Sequence, residues 1–148
     1  MNKETREAIT NIYFHDLTIS NLDIDFKNQK LILVFDEYDE LADTYFPMTI
    51  VFDRVSQILL DYPEQVNFEL ETVLKAEFKD IENKNVAEFL FSMGFAKPVC
   101  KLTIEFNSVT VKRTLSDTAI QFKKANLETR FDKMEWFEKN NLPVPEWV

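Results

Sequence analysis

His15, the chain's only histidine, is followed directly by Asp16. An imidazole beside a carboxylate is the raw material of a general base, or of a group that activates a nucleophile. Neighbouring side chains on an extended backbone point to opposite faces, so the two are not expected to pair. No other sequence signal completes a triad or dyad. His15 therefore reads as a fixed polar residue at the start of a strand, bonded to backbone. Cys100, the lone cysteine, lies in phase with Leu102 and Ile104 and reads as core, where a thiol acts as a small hydrophobe. Lys101, the nearby base that would favour a thiolate, should face the other way. Asp36, Glu37, Asp39, Glu40 and Asp43 crowd into eight residues. A calcium loop places its ligands on alternate residues, needs a glycine for its turn and ends in a bidentate glutamate. Spacing and glycine both fail here, so no metal and no cofactor is expected. The segment reads as a solvated loop, or as a docking surface for a basic protein with Tyr38 and Tyr45 as anchors.

These groups are positioned by elements that are mostly strands. Residues 2–12 predict a short helix with Ala8, Ile9 and Ile12 on one side. Leu22, Ile24 and Phe26 then alternate with Asp23 and Asp25, a strand with one wet face. Lys27-Asn28-Gln29-Lys30 reads as a hairpin turn into the apolar run Leu31–Phe35, and Met48, Ile50 and Phe52 alternate after the acidic stretch. Residues 66–81 fit two periods: Val66, Phe68 and Leu70 alternate, whereas Leu70, Leu74, Phe78 and Ile81 also suit a helix. A strand is expected to about Leu70, with the remainder open. Phe89, Phe91, Met93 and Phe95 mark another strand, with Gly94 at a bulge or close approach. Beyond Pro98, Cys100–Phe106 and Val109–Val111 read as a hairpin turning at Asn107-Ser108. Ile120 and Phe122 suggest a last strand, and Leu127, Phe131, Met134 and Phe137 a C-terminal helix.

About seven or eight strands joined mostly as hairpins predict a mainly β fold, an antiparallel β-sandwich or a partly open barrel. Residues 1–148 read as a single domain, a size at which folding hides roughly 70% of the unfolded chain's surface. With one glycine, the turns must rely on Asn, Asp, Ser and Lys, which disfavours many tight primed turns. The 14 phenylalanines supply much of the core, and the Phe89/Phe91/Phe95 stripe would also suit an apolar ligand held between sheets. The charged residues Met1–Glu7 lead into no apolar run of signal-peptide length, and the longest clean apolar run, Leu31–Phe35, is far short of a membrane span, so a cytoplasmic protein without membrane contact is expected. The net charge is −9, and the excess acid lies within residues 1–100. Such a field repels nucleic acid and attracts basic partners, and Asp23 and Asp25 extend it from the loop onto the first strand.

Phe14-His15-Asp16, followed by Ile19 and the Leu22–Phe26 strand, resembles the opening of a group of small β-rich bacterial proteins. They are the family numbered fifty among the immunity proteins of polymorphic toxins. Their later F-x-x-V step reads here as Phe52-Asp53-Arg54-Val55, and their closing strand pair as Leu102–Phe106 with Val109–Val111. The likeness covers residues 12–112, and Asp53 stands where the pattern has a small residue, often glycine. It implies a cytosolic, non-enzymatic protein that neutralises a cognate toxin by binding it, with no catalytic residues carried over. A basic toxin would then meet the acidic surface of Asp23, Asp25, Asp36, Glu37, Tyr38, Asp39, Glu40, Asp43 and Tyr45, with electrostatic steering speeding the encounter. The alternatives are a carrier of a small apolar ligand in a Phe-lined cavity, an enzyme built on His15, and a structural subunit that self-associates through exposed edge strands.

Overall fold

The structure, a computed structural model, describes residues 1–61, 71–92 and 99–148. Among them the order is α1 (Lys3–Thr10), β1 (Thr18–Asp25), β2 (Lys30–Asp39), β3 (Thr44–Asp53), β4 (Gln57–Asp61), β5 (Val73–Ile81), β6 (Lys84–Ser92), β7 (Val99–Phe106), β8 (Ser108–Arg113), α2 (Asp117–Ala125) and α3 (Arg130–Lys139). The residues group into two compact units, one of 1–37 with 46–114 and one of 38–45 with 115–148. No helix among the described residues is long and apolar enough to cross a membrane.

The first unit is two packed antiparallel sheets with no closed barrel. Sheet A has the order β1-β2-β3-β8 and sheet B the order β4-β7-β6-β5. Period-two patterning turns Leu31, Leu33, Phe35, Met48, Ile50 and Phe52 of sheet A onto Ala87, Phe89, Phe91, Leu102 and Ile104 of sheet B. Phe89 sits at the centre, with its ring centroid 6.2 Å from Phe35 and 6.3 Å from Phe52 across the two sheets. Cys100 is buried, as its phase predicts, and burial pushes its thiol pKa up.

Several expectations need correction. Cys100–Phe106 and Val109–Val111 are both strands but not a hairpin: β7 pairs with β4 and β6 in sheet B, while β8 pairs with β3 in sheet A. The β3–β4 connection makes the same crossing beside it. The two chains turn the corner together, with Ser56 N–H donating to Glu105 O at 2.9 Å and Asn107 N–H to Asp53 O at 3.0 Å. Alternation specifies which face a residue takes, not which strand it pairs with. Phe26 leaves its strand for the β1–β2 turn and is 85% exposed. Of the ambiguous stretch 66–81, Val73–Ile81 is a strand; 66–70 lies outside the described residues, as do Met93, Gly94 and Phe95. The β5–β6 turn holds Glu82 and Asn83, both at positive φ (48° and 64°), between paired Ile81 and Lys84. A two-residue turn of the primed sort thus forms without glycine, at a steric cost on the order of 1 kcal/mol for the glutamate.

Helix α1 begins at Asn2, whose side chain accepts from Thr5 N–H at 2.8 Å. It is tied to β8 by Val109 N–H donating to Thr5 Oγ1 and to β5 by Arg6 with Asp80 at 3.1 Å. In the second unit the expected strand at Ile120 and Phe122 is helix α2. Ser116 caps it, accepting from Ala119 N–H at 3.1 Å, and Ala119 and Phe122, three apart, turn inward. Helix α3 is where the tail's period places it, with Phe137 buried and Phe131 exposed. Phe122, Phe137 and Val148 form this unit's own core, with Leu41, Leu127, Met134, Trp136 and Leu142 packed around them.

Candidate functional site

The outer faces of the two sheets follow from register. In sheet A, Asp23 stands opposite Ile32, Asn21 opposite Val34, Asp25 opposite Lys30 and Thr18 opposite Asp36. On the far side, Thr49 faces Lys112, Val51 faces Thr110 and Asp53 faces Ser108. All lie opposite to the phase of the buried residues Leu31, Leu33, Phe35, Ile50 and Phe52. The face therefore carries half-buried Ile32, Val34 and Val51, which belong to neither hydrophobic core. Acids border them on the β1 side. Asp53 is paired with Lys30 at 3.2 Å. Asp25 accepts from the Asn28 side chain at 2.8 Å, which holds its carboxyl below the usual range. Asp23 and Asp36 have no ion-pair partner among the described residues.

Two of the acids expected on the surface are not there. Glu37 and Asp39 continue the inward phase of Leu31, Leu33 and Phe35 and are buried. Glu37 meets Arg113 in a two-point pair, Nε to Oε1 at 2.9 Å and Nη2 to Oε2 at 2.6 Å, with side chains only 3% and 12% exposed. Arg113 also donates to Asn11 O at 3.2 Å, so the guanidinium is held from two sides. Arg113 was missed by residue-type reasoning, although the phase could have found it. Val109, Val111 and Arg113 share one face of β8, as Phe35 and Glu37 share one of β2, and each inward row ends in a charge of opposite sign.

The stretch 36–43 is not a loop but the end of β2 and a short turn. Asp39 organises that turn, accepting from Leu41 N–H at 2.9 Å and Ala42 N–H at 3.1 Å. Within the second unit, the Tyr38 hydroxyl donates to the Asp43 carboxylate, and this bond pushes its pKa up to about 12. Tyr45, 65% exposed, lies 5.2 Å from Tyr38 ring to ring. The expected partner-binding set thus divides into Asp23, Asp25 and Asp36 on sheet A, the tip cluster of Tyr38, Glu40, Asp43 and Tyr45, and the buried pair Glu37 and Asp39.

His15 and Asp16 do pair, at 2.9 Å between Nδ1 and Oδ2, contrary to expectation. They occupy a turn rather than an extended strand, and Asp16 takes positive φ (69°), which swings its carboxylate back to the imidazole. Both are largely exposed, so the pair sits on the surface rather than in a cleft. Phe14 is buried against Phe35, Phe78 and Phe89. Val55 donates its N–H to Gln29 O at 2.9 Å and packs on the first core beside Phe52. The inter-sheet phenylalanines fill their space, each of Phe35, Phe52, Phe89 and Phe91 being fully buried. A cleft of about 390 Å³ lies instead between α1 and β5, lined by Ile9, Ile12, Phe14, Ala76 and Phe78 together with the polar groups of Met1, Arg6, Thr10 and Asp80. No group of metal-ligating side chains occurs among the described residues.

The chain matches no protein-family model and no curated protein. Among solved structures it is similar to an uncharacterized protein from Neisseria gonorrhoeae, with a TM-score of 0.44 and 16% identity, over 68% of this chain and 94% of that one.

Proposed function

We propose that this protein is a non-enzymatic, cytoplasmic binder of a basic protein, and that it neutralises a cognate toxin as the immunity proteins it resembles do. The supporting observation is the outer face of sheet A, where Asp23 and Asp36 have no ion-pair partner among the described residues and stand beside the half-buried aliphatics Ile32, Val34 and Val51. An interface uses such a patch in two ways. The aliphatics contribute area on desolvation, and the acids raise the encounter rate with a cationic surface.

The test is capture from native lysate of the source organism with the wild-type chain and with Asp23→Lys/Asp25→Lys/Asp36→Lys. One stoichiometric basic partner is expected, released as salt rises and lost with the triple variant, whose inhibition or killing activity then identifies the toxin. Equal capture by the folded triple variant would remove the acidic face from the mechanism.

A second reading rests on the α1–β5 cleft, whose volume suits a small apolar ligand. Native mass spectrometry of the purified chain separates the two: a bound mass favours the carrier, and a clean apo mass the protein binder.

A further inference from the structure

The outer aliphatic stripe of sheet A lies on adjacent strands, Ile32 and Val34 on β2 and Val51 on β3, so it is about two strands wide. Phe26, in the turn that ends the β1–β2 hairpin next to Asp25, is 85% exposed. A fully exposed phenylalanine forgoes the transfer energy of its ring, and aromatic side chains of this kind commonly anchor interfaces.

The charge on the two borders of the stripe is unequal. The β1 border carries Asp23 and Asp25, with Asp36 at the end of β2, while the β8 border carries Thr110 and Lys112. Strands lie about 4.8 Å apart and a helix with its side chains is about 10 Å across, so one helix laid over β2 and β3 reaches both borders. Addition of a strand to β1 is the less favourable geometry, because that edge is interrupted by a bulge at Ser20 and studded with aspartates.

Resting on the basic-partner reading above, we infer that the partner presents one amphipathic helix to the outer face of sheet A. Its apolar side covers Ile32, Val34 and Val51, its lysines or arginines run along the flank over β1, its other flank lacks bases, and Phe26 holds one end.

The full chain, labelled with ¹⁵N, is titrated with three synthetic peptides of identical leucine, lysine and glutamine content. One has helical period with lysine on a single flank, one alternates with period two, and one is scrambled. The helical peptide is expected to bind best, shifting the amides of Asp23, Ile32, Val34, Val51 and Phe26. Phe26→Ala, a change at an exposed turn residue, should weaken it about five- to tenfold. Preference for the alternating peptide, with shifts confined to β1, overturns the helix in favour of strand addition. Equal binding of all three overturns the helix and leaves the basic-partner reading standing. Absence of binding by every peptide at low salt overturns both.

Discussion

The outer faces of the two sheets are built from the same alternation and finished in opposite ways. On sheet B, Glu77 and Glu88 stand directly opposite each other, a like-charge pair that would destabilise the ladder. Lys79 bridges them at 3.3 and 3.0 Å, Lys75 meets Glu77 at 2.6 Å, Lys101 meets Glu88 at 3.8 Å, and Lys84 meets Glu105 at 3.7 Å. The lysines hold Glu77 below the usual carboxylate range, and the two glutamates, Glu88 foremost, raise Lys79 above its ordinary value. Sheet B neutralises its own surface. Sheet A keeps Asp23 and Asp36 without an ion-pair partner among the described residues, beside half-buried Ile32, Val34 and Val51. A charge balanced within the chain offers little field to a partner, whereas an unbalanced one projects it into solvent.

On its inward side sheet A pairs a charge deep in the fold, at Glu37 and Arg113. Replacing Arg113 by Met leaves a carboxylate buried without a cation and should cost about 3–5 kcal/mol in urea denaturation. The double variant Glu37→Leu/Arg113→Met should recover most of that loss, since paired burial and apolar burial differ little in net energy. A single-variant cost below about 1 kcal/mol, the range of exposed pairs, would show that the pair is solvated in solution.

The inward phase of the strands could be read from residue order alone, and it extends further than residue type suggests. Leu31, Leu33 and Phe35 announce a buried row, and the same row continues into Glu37 and Asp39, which their chemistry had assigned to the surface. Pairing could not be read in this way. The corner at Asn107 sends β8 to the opposite sheet, and nothing in the alternation of Leu102, Ile104, Val109 and Val111 records it. The α2 helix was hidden because Ile120 and Phe122 satisfy a two-residue period over a span too short to test a longer one. Its usable signal was the Ser116 cap. The His15–Asp16 pair depends on one positive φ at a turn, a local choice that apolar periodicity does not describe.

The faces should also separate in binding. With a captured basic partner, Asp23→Lys/Asp36→Lys should slow association tenfold or more at low salt and change dissociation less, whereas Glu77→Lys/Glu88→Lys should alter association no more than a uniform change of net charge does. Equal slowing by both pairs, measured by stopped flow, would mean that net charge rather than a defined face recruits the partner.

At the hairpin tip the effect is a titration rather than a rate. Tyr38, raised to about 12 by its bond to Asp43, should remain un-ionised through the range near 10 where an unperturbed phenol deprotonates, as followed by absorbance near 295 nm. Asp43→Asn should return it toward 10. A raised folded-state value means that the unfolded chain releases this proton first. The associated stability is therefore complete below pH 10 and lost as pH rises from 10 through 12. If Tyr38 titrates near 10 in the wild-type chain, the Tyr38–Asp43 bond does not persist in solution.

The smallest effect tests the balance of sheet B. Lys79→Met removes the bridge between Glu77 and Glu88 while keeping a flexible apolar stem over the sheet. Because the side chains are partly exposed, the loss in urea denaturation should be small and should shrink as added salt screens the two carboxylates. The double variant Lys79→Met/Glu77→Gln removes one of the two repelling charges and should recover part of that loss. Salt-independent destabilisation of the single variant would assign Lys79 a packing role, its stem over the sheet rather than its charge between the two carboxylates.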